Sequence, residues 1–265
     1  MKNILQRVQQ QGFSNTLRLV WRRAGKKLAH LAYLPAWYVF KLRNLGFTDT
    51  TEGVRGINEN EKEQSIRKIL SAMHGGTFLE IGIGEFPRFV RLELINKNSI
   101  NYTGCDFESV CKSHQEELAI KGFDTSRINF VTNSTGTYSW TLFEMLQSGQ
   151  QFDTIYVDGH HTFYIDLPAM LLADKLLKPG GYLLLDDTSW TLSFLRSRMM
   201  KSISQWYFYH TIYDLSEYTE AQQSLPHIGM IAEELLIKRS GYTKDADLSS
   251  RMWWALKKPK SIAAN

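Results

Sequence analysis

Residues 152–167 read FDTIYVDGHHTFYIDL, and within them Asp158, Gly159, His160 and His161 stand together at the end of an apolar run. An acid and two imidazoles at the tip of a buried strand could hold a metal ion, take a proton, or form a polar turn with no chemistry. The same kind of ending recurs along the chain. Other apolar runs finish in Glu80-Ile81-Gly82-Ile83-Gly84, in Asp106, in Asn133-Ser134 and in Asp186-Asp187. Open α/β sheets bind ligands beyond the carboxyl ends of their strands, so residues that end successive runs are expected to meet in one place.

The elements that would carry them follow a regular alternation. NENEKEQSIRKILSAM, residues 58–73, predicts a helix with Ile66, Ile69, Leu70 and Met73 on one face and Asn60 and Glu63 in a capping-box relation. Gly75-Gly76 ends it. The runs TFLEIG, NYTGCD, INFVT, FDTIYVD and YLLLDD then read as strands separated by helices near 86–97, 108–121, 138–148 and 163–177, with Pro87 suited to a first helical turn. Such alternation predicts a doubly wound, mostly parallel sheet with helices on both faces and right-handed crossovers. Residues 191–203 read as a helix, and WYFYHTIY at 206–213 and HIGMIA at 227–232 as two more strands, giving a seven-stranded sheet closed by an antiparallel member. The expected organisation is a basic N-terminal helical appendage at 1–57, the α/β domain at 58–240 and a basic C-terminal tail at 241–265, whose KKPK run is expected to be solvated.

The glycine run narrows the ligand. A dinucleotide fingerprint places a third glycine three residues after the second, where a helix N-terminus meets the pyrophosphate. Here Glu85, Phe86 and Pro87 follow Gly84, which disfavours a nicotinamide-dependent reductase. A cationic ligand without phosphate tolerates an acid at that point. S-adenosylmethionine is one: its sulfonium and amino groups favour carboxylate, its adenosine needs close approach at glycine, and Asp106 is placed to accept the ribose hydroxyls.

FLEIGIGEF resembles the first motif of class I S-adenosylmethionine-dependent methyltransferases, which have a Rossmann-like fold, and YTGCD resembles their ribose-binding acid. FDTIYVDGHHTFYIDLPAMLLADKLLKPGGYLLLDD is similar to the fourth and fifth strands of the branch holding metal-dependent sugar O-methyltransferases and the cephalosporin hydroxylase-like family. The likeness spans about residues 58–190. It implies cofactor contacts from Glu80, Gly82, Gly84, Asp106, Asn133, Ser134 and Asp158, and a magnesium ion on Asp158, Asp186 and Asp187. It also implies catalysis by Asp158 and His161, with His161 as general base and a sugar or other diol-bearing metabolite as acceptor. Asn133 departs from the acid that many relatives carry there, and His160 is a second candidate base. Physical chemistry points the same way, since three crowded carboxylates repel one another unless protonated or bridged by a cation, and oxygen ligands suit a hard ion. A metal-independent methyltransferase acting on nitrogen or a carboxylate, and a catalytically silent membrane-apposed binding module, are the alternatives.

At 265 residues and 43% hydrophobic, the chain can bury a full core. Cys105 and Cys111 are too few for a disulfide framework, so a reducing, cytoplasmic setting is expected. The net charge of +4 is uneven: residues 1–44 hold nine Lys or Arg and no acid, leaving the body mildly acidic, which argues against a nucleic-acid partner. Leu17, Val20, Trp21, Ala24 and Leu28, interleaved with Arg18, Arg22, Arg23, Lys26 and Lys27, make a basic amphipathic helix. Packing on the body or on a second copy is its first expectation, and peripheral contact with the inner membrane face its second. The apolar run after it is too short to span a bilayer.

Overall fold

The computed structural model describes residues 52–84, 86–133, 137–199 and 215–260. The chain divides into two units, Thr51–Leu192 with Ala221–Asn265, and Met1–Thr50 with Ser193–Glu220. The first begins with α1 (Glu52–Ala72), β1 (Thr77–Ile81), α2 (Phe89–Lys97), β2 (Asn101–Phe107), α3 (Glu108–Ile120), β3 (Ile128–Asn133), α4 (Tyr138–Gln147), β4 (Phe152–Val157), α5 (Phe163–Leu176) and β5 (Leu177–Leu185). The helix α6 (Leu192–Met199) leads into the second unit, whose other described segment holds a single 3-10 turn at Leu215–Glu217. The first unit resumes with the short α7 (Glu220–Gln223), α8 (His227–Ile231), β6 (Thr243–Lys244) and β7 (Trp254–Lys257). No helix among the described residues is long and apolar enough to cross a membrane. The basic helix expected at 17–28 lies outside the described residues.

The sheet has seven strands in the order β3-β2-β1-β4-β5-β7-β6, parallel through β5 and antiparallel at β7 and β6. Strand period two sorts its side chains into two cores. Leu79, Ile81, Cys105, Ile155, Val157, Leu183 and Leu185 face Leu142 and Met145 of α4, Ala169, Met170 and Ala173 of α5, and Ile228 and Ile231 of α8. Phe78, Tyr102, Tyr156, Leu184 and Ala255 face Ile66, Ile69 and Leu70 of α1, Leu92 and Ile95 of α2, and Leu118 of α3. Helices on both faces of a largely parallel sheet are the doubly wound arrangement expected.

Three expectations are corrected. HIGMIA is not a strand: Ile228, Ile231, Ala232 and Leu236 are buried at three- and four-residue steps, so α8 runs on through a π-helical turn at Ala232–Ile237. The segment 206–213 lies outside the described residues, and the antiparallel positions belong to β6 and β7. The stretch through Lys258 is therefore no solvated tail. Lys258 is buried, donates to the carbonyls of Asp174 and Leu177 (2.9 Å for the latter), and so finishes the carboxyl end of α5, where a cation is favoured. Lastly, α1 starts at Glu52, which leaves Asn60 inside the helix, and Glu63 turns to Arg91 instead of a capping box.

Asp174 ties this end together, accepting from the Tyr242 hydroxyl at 2.7 Å with the Lys258 ammonium 3.3 Å away. Burial opposes its charge, but Tyr242 and Lys258 outweigh it and hold the carboxyl below its usual range. Asp174→Asn should lower unfolding free energy at neutral pH by about 1–3 kcal/mol, read by urea titration. A depressed folded-state pKa stabilises above the unfolded value of about 3.9 and stops doing so as pH falls through the folded value, so parent and variant should converge in acid. A gap that stayed constant down to low pH would exclude the carboxylate as its source.

Candidate active site

Strand register decides which side chains meet. Ile81 is level with Cys105 on one side and Val157 on the other, and Val157 is level with Leu185. The ladder continues one residue further: Gly82 N–H donates to Cys105 O at 2.9 Å, Asp158 N–H to Ile81 O at 2.8 Å and Asp186 N–H to Val157 O at 3.1 Å. Gly82, Asp106, Asp158 and Asp186 consequently stand in one row across four adjacent strands. Asn133 ends the outer strand β3, and Ser134 lies outside the described residues.

At the β1 end the backbone turns through Gly82 (φ 82°) and Gly84 (φ 73°), both in the left-handed region that glycine enters freely. A Cβ on Gly82 would lie 1.9 Å from the Asp158 carbonyl oxygen, whereas one on Gly84 would meet nothing within 4 Å among the described residues. Asp106 fastens this loop, accepting from Ile83 N–H at 2.9 Å and from Phe107 N–H at 2.7 Å. The buried His114 holds its far end, with Nε2 2.9 Å from Gly84 O. Burial pushes the Asp106 carboxyl up and the His114 imidazole down, so the histidine is neutral near pH 7. Glu80 behaves otherwise than expected. Strand alternation turns it to the α1 face, where it is buried, paired with Arg91 through one oxygen and bonded by the Tyr102 hydroxyl at 2.9 Å through the other. Arg91 also pairs with Glu63 of α1. Glu80 is thus committed within the protein and not turned to a ligand.

Gly82→Ala should melt well below Gly84→Ala in thermal unfolding. Both incur a left-handed backbone cost of roughly 1–2 kcal/mol, but only the first also collides with the neighbouring strand. Equal melting of the two variants would contradict the packing of Gly82 on Asp158.

On the other side of Gly82, the Tyr156 hydroxyl lies 3.0 Å from Asp158 Oδ2 and 2.9 Å from Asp186 Oδ2. A phenol has one proton for these two acceptors. Burial, then the charge of Asp186, pushes the Asp158 carboxyl up to about 8. Asp186 is held the other way: burial opposes its charge, but the Lys62 ammonium at 2.5 Å keeps it ionised. The peptide N–H of Asp187 adds a bond to Asp186 Oδ1 at 2.9 Å.

The β4–α5 loop aims the histidines. Asp166, buried in the first turn of α5, accepts from the N–H groups of His160 (3.1 Å) and Thr162 (2.7 Å) and from the Tyr138 hydroxyl. This clamp separates the two imidazoles. His160 Nδ1 turns to Thr162 Oγ1 at 3.0 Å, while His161 Nε2 lies 3.8 Å from Asp158 Oδ1 and 3.7 Å from Asp187 Oδ2. His161 and Asp187 have φ of 61° and 50°, strained values for such residues that place both side chains over the row. One ligand atom from each of Asp158, His161 and Asp187 lies within 4.8 Å of the others. Burial lowers the His161 pKa, and its Nδ1 is buried with no hydrogen-bond partner among the described residues.

Sequence reasoning missed Lys62, Tyr156, Arg91 and Asp166. Lys62 had a signal: it continues the apolar stripe of Ile66, Ile69, Leu70 and Met73 one turn back, and a charge in a buried stripe needs a partner. Tyr156 and Asp166 had none, because their partners are remote in sequence or lie in a loop.

Residues 79–188 match a family model described as a methyltransferase domain. Among solved structures, the chain is similar to an O-methyltransferase from Bacillus cereus in complex with SAH, with 14% identity, a TM-score of 0.48, and coverage of 84% of this chain and 89% of that one. It is also similar to the O-methyltransferase TomG from Streptomyces achromogenes, in complex with SAM and involved in tomaymycin synthesis, at 13% identity, TM-score 0.47, and 77% and 80% coverage. An O-methyltransferase family protein from Burkholderia thailandensis shows 14% identity and a TM-score of 0.46 over 76% of this chain, which spans 57% of that protein's length. No curated protein matches the chain.

Proposed function

We propose that residues 79–188, which match a model described as a methyltransferase domain, form a class I S-adenosylmethionine-dependent methyltransferase domain, and that the protein methylates a hydroxyl of a sugar or other vicinal diol with help from a divalent cation, magnesium. The carrying observation is the convergence of Asp158, His161 and Asp187 beside the row that holds Gly82 and Asp106.

The residues fit both ligands. Gly84 leaves the backbone open to an adenosine, Asp106 retains lone pairs for ribose hydroxyls, and the acidic row favours a positively charged methyl donor. Asp158 and Asp187 supply the pair of carboxylates by which magnesium is commonly bound together with waters and substrate oxygens. Asp186, expected as a third ligand, is engaged by Lys62, Tyr156 and the Asp187 N–H, so the ligand pair in this proposal is Asp158 and Asp187. A cation held by Asp158 and Asp187 would supply Lewis acidity that lowers the pKa of the hydroxyl to be methylated.

His161 then acts as base. Kept neutral by burial, it directs Nε2 at the edge facing the two acids, where it would receive the acceptor's proton. As the acceptor oxygen forms its bond to the methyl carbon, the carbon–sulfur bond breaks and leaves the neutral thioether. The protein contributes alignment, charge and a place for the proton.

Labelled-methyl transfer to a panel of sugars and diols tests this. Asp158→Asn and Asp187→Asn should lose turnover while calorimetry shows S-adenosylhomocysteine still bound, and EDTA should have the same effect on the parent. His161→Gln should slow turnover by roughly 10²–10⁴-fold with both ligands bound. Full activity of Asp187→Asn in EDTA would sink the metal-assisted mechanism in favour of a metal-independent one.

A further inference from the structure

Among the described residues, a cation that meets the strand-end acids comes from outside the matched domain. Lys62 extends from α1, is 14% exposed, and places Nζ 2.5 Å from Asp186 Oδ2 and 5.9 Å from the centre of the Tyr156 ring. Its helix is fixed there. The neighbouring Glu63 pairs with Arg91, the Ser65 hydroxyl donates to Leu248 O at 2.8 Å and accepts from Trp253 Nε1 at 3.0 Å, and Ile66 is fully buried.

We propose that Lys62 is a built-in counter-ion that competes with the divalent cation for the strand-end carboxylates and so sets the metal affinity of the site. The proposal rests on the metal-assisted function above. Its physical basis is charge: Asp158, Asp186 and Asp187 present three carboxyl groups, and the ammonium occupies one of them directly. A doubly charged ion arriving at Asp158 and Asp187 meets the repulsion of Lys62, and it gains Asp186 as a ligand only when the lysine leaves. Lys62 is therefore a positioning residue, holding Asp186 and Tyr156 in place while metal is absent and keeping metal binding weak and exchangeable.

Manganese titration of the full chain, followed by the paramagnetic resonance of the free ion, tests it without any turnover assay. Lys62→Met and Lys62→Gln should bind Mn2+ at least about tenfold more tightly than the parent, a coupling of ordinary size between interacting sites. Lys62→Arg, which keeps the charge, should match the parent. Circular dichroism checks that each variant is folded, and the glutamine variant, which can still hydrogen-bond to Asp186, serves if the methionine variant is not. If neither neutral variant binds Mn2+ more tightly than the parent, including the case in which none of the proteins binds it, the proposal is overturned. S-adenosylhomocysteine titrated into the same samples reports separately on the methyltransferase function. Its failure to bind would refute that function, while the manganese comparison would still decide the role of Lys62.

Discussion

Charge neutrality at the carboxyl edge of the sheet is the constraint on which the other features depend. Parallel strands lie about 4.8 Å apart, so acids that end neighbouring strands are forced together before any ligand arrives. Asp158 and Asp186 end adjacent strands and Asp187 follows at once. Such a row is stable only if some of its charge is removed or balanced. The protein places the Lys62 ammonium on Asp186 and the Tyr156 hydroxyl between Asp186 and Asp158, while burial raises the Asp158 pKa.

That solution explains why α1 is part of the domain although the family match begins after it. Two consecutive residues of α1 address the sheet with opposite charges. Lys62 meets Asp186 at the end of β5, and Glu63 meets Arg91, which pairs in turn with Glu80 of β1. A buried arginine between two carboxylates would be costly to break, since removing one partner strands the others out of water. The acid of the glycine motif thus serves as an anchor for α1 and α2, and Asp106 and His114 take over the task of shaping the loop.

Strain is concentrated at the same edge. Of the non-glycine residues with left-handed backbone among those described, His161 and Asp187 flank the acid row. Neither conformation is favoured locally. The loop bearing His161 is held by Asp166 and Tyr138, and Asp187 lies between the backbone bonds of Asp186 N–H to Val157 O and of Thr188 N–H to Met252 O. Backbone cost here is offset by a scaffold that is over-determined on both sides, which fixes Nε2 of one particular histidine against two carboxylates.

The sequence by itself determined the doubly wound sheet, because apolar runs alternating with helical stripes have few other ways to bury both faces. It also determined that Gly82, Asp106, Asp158 and Asp186 share an edge, since each ends a strand. It did not determine the antiparallel strands: HIGMIA and WALK are short apolar runs, and only packing against α5 and β5 makes one a helix and the other β7. Nor did it assign the counter-ions. Lys62 and Arg91 are ordinary charges in linear order, and which acid each one neutralises is decided by contacts across 124 and 11 residues that exist only after folding. Strand ends are a local property, written in each run; electrostatic partnership is a property of space.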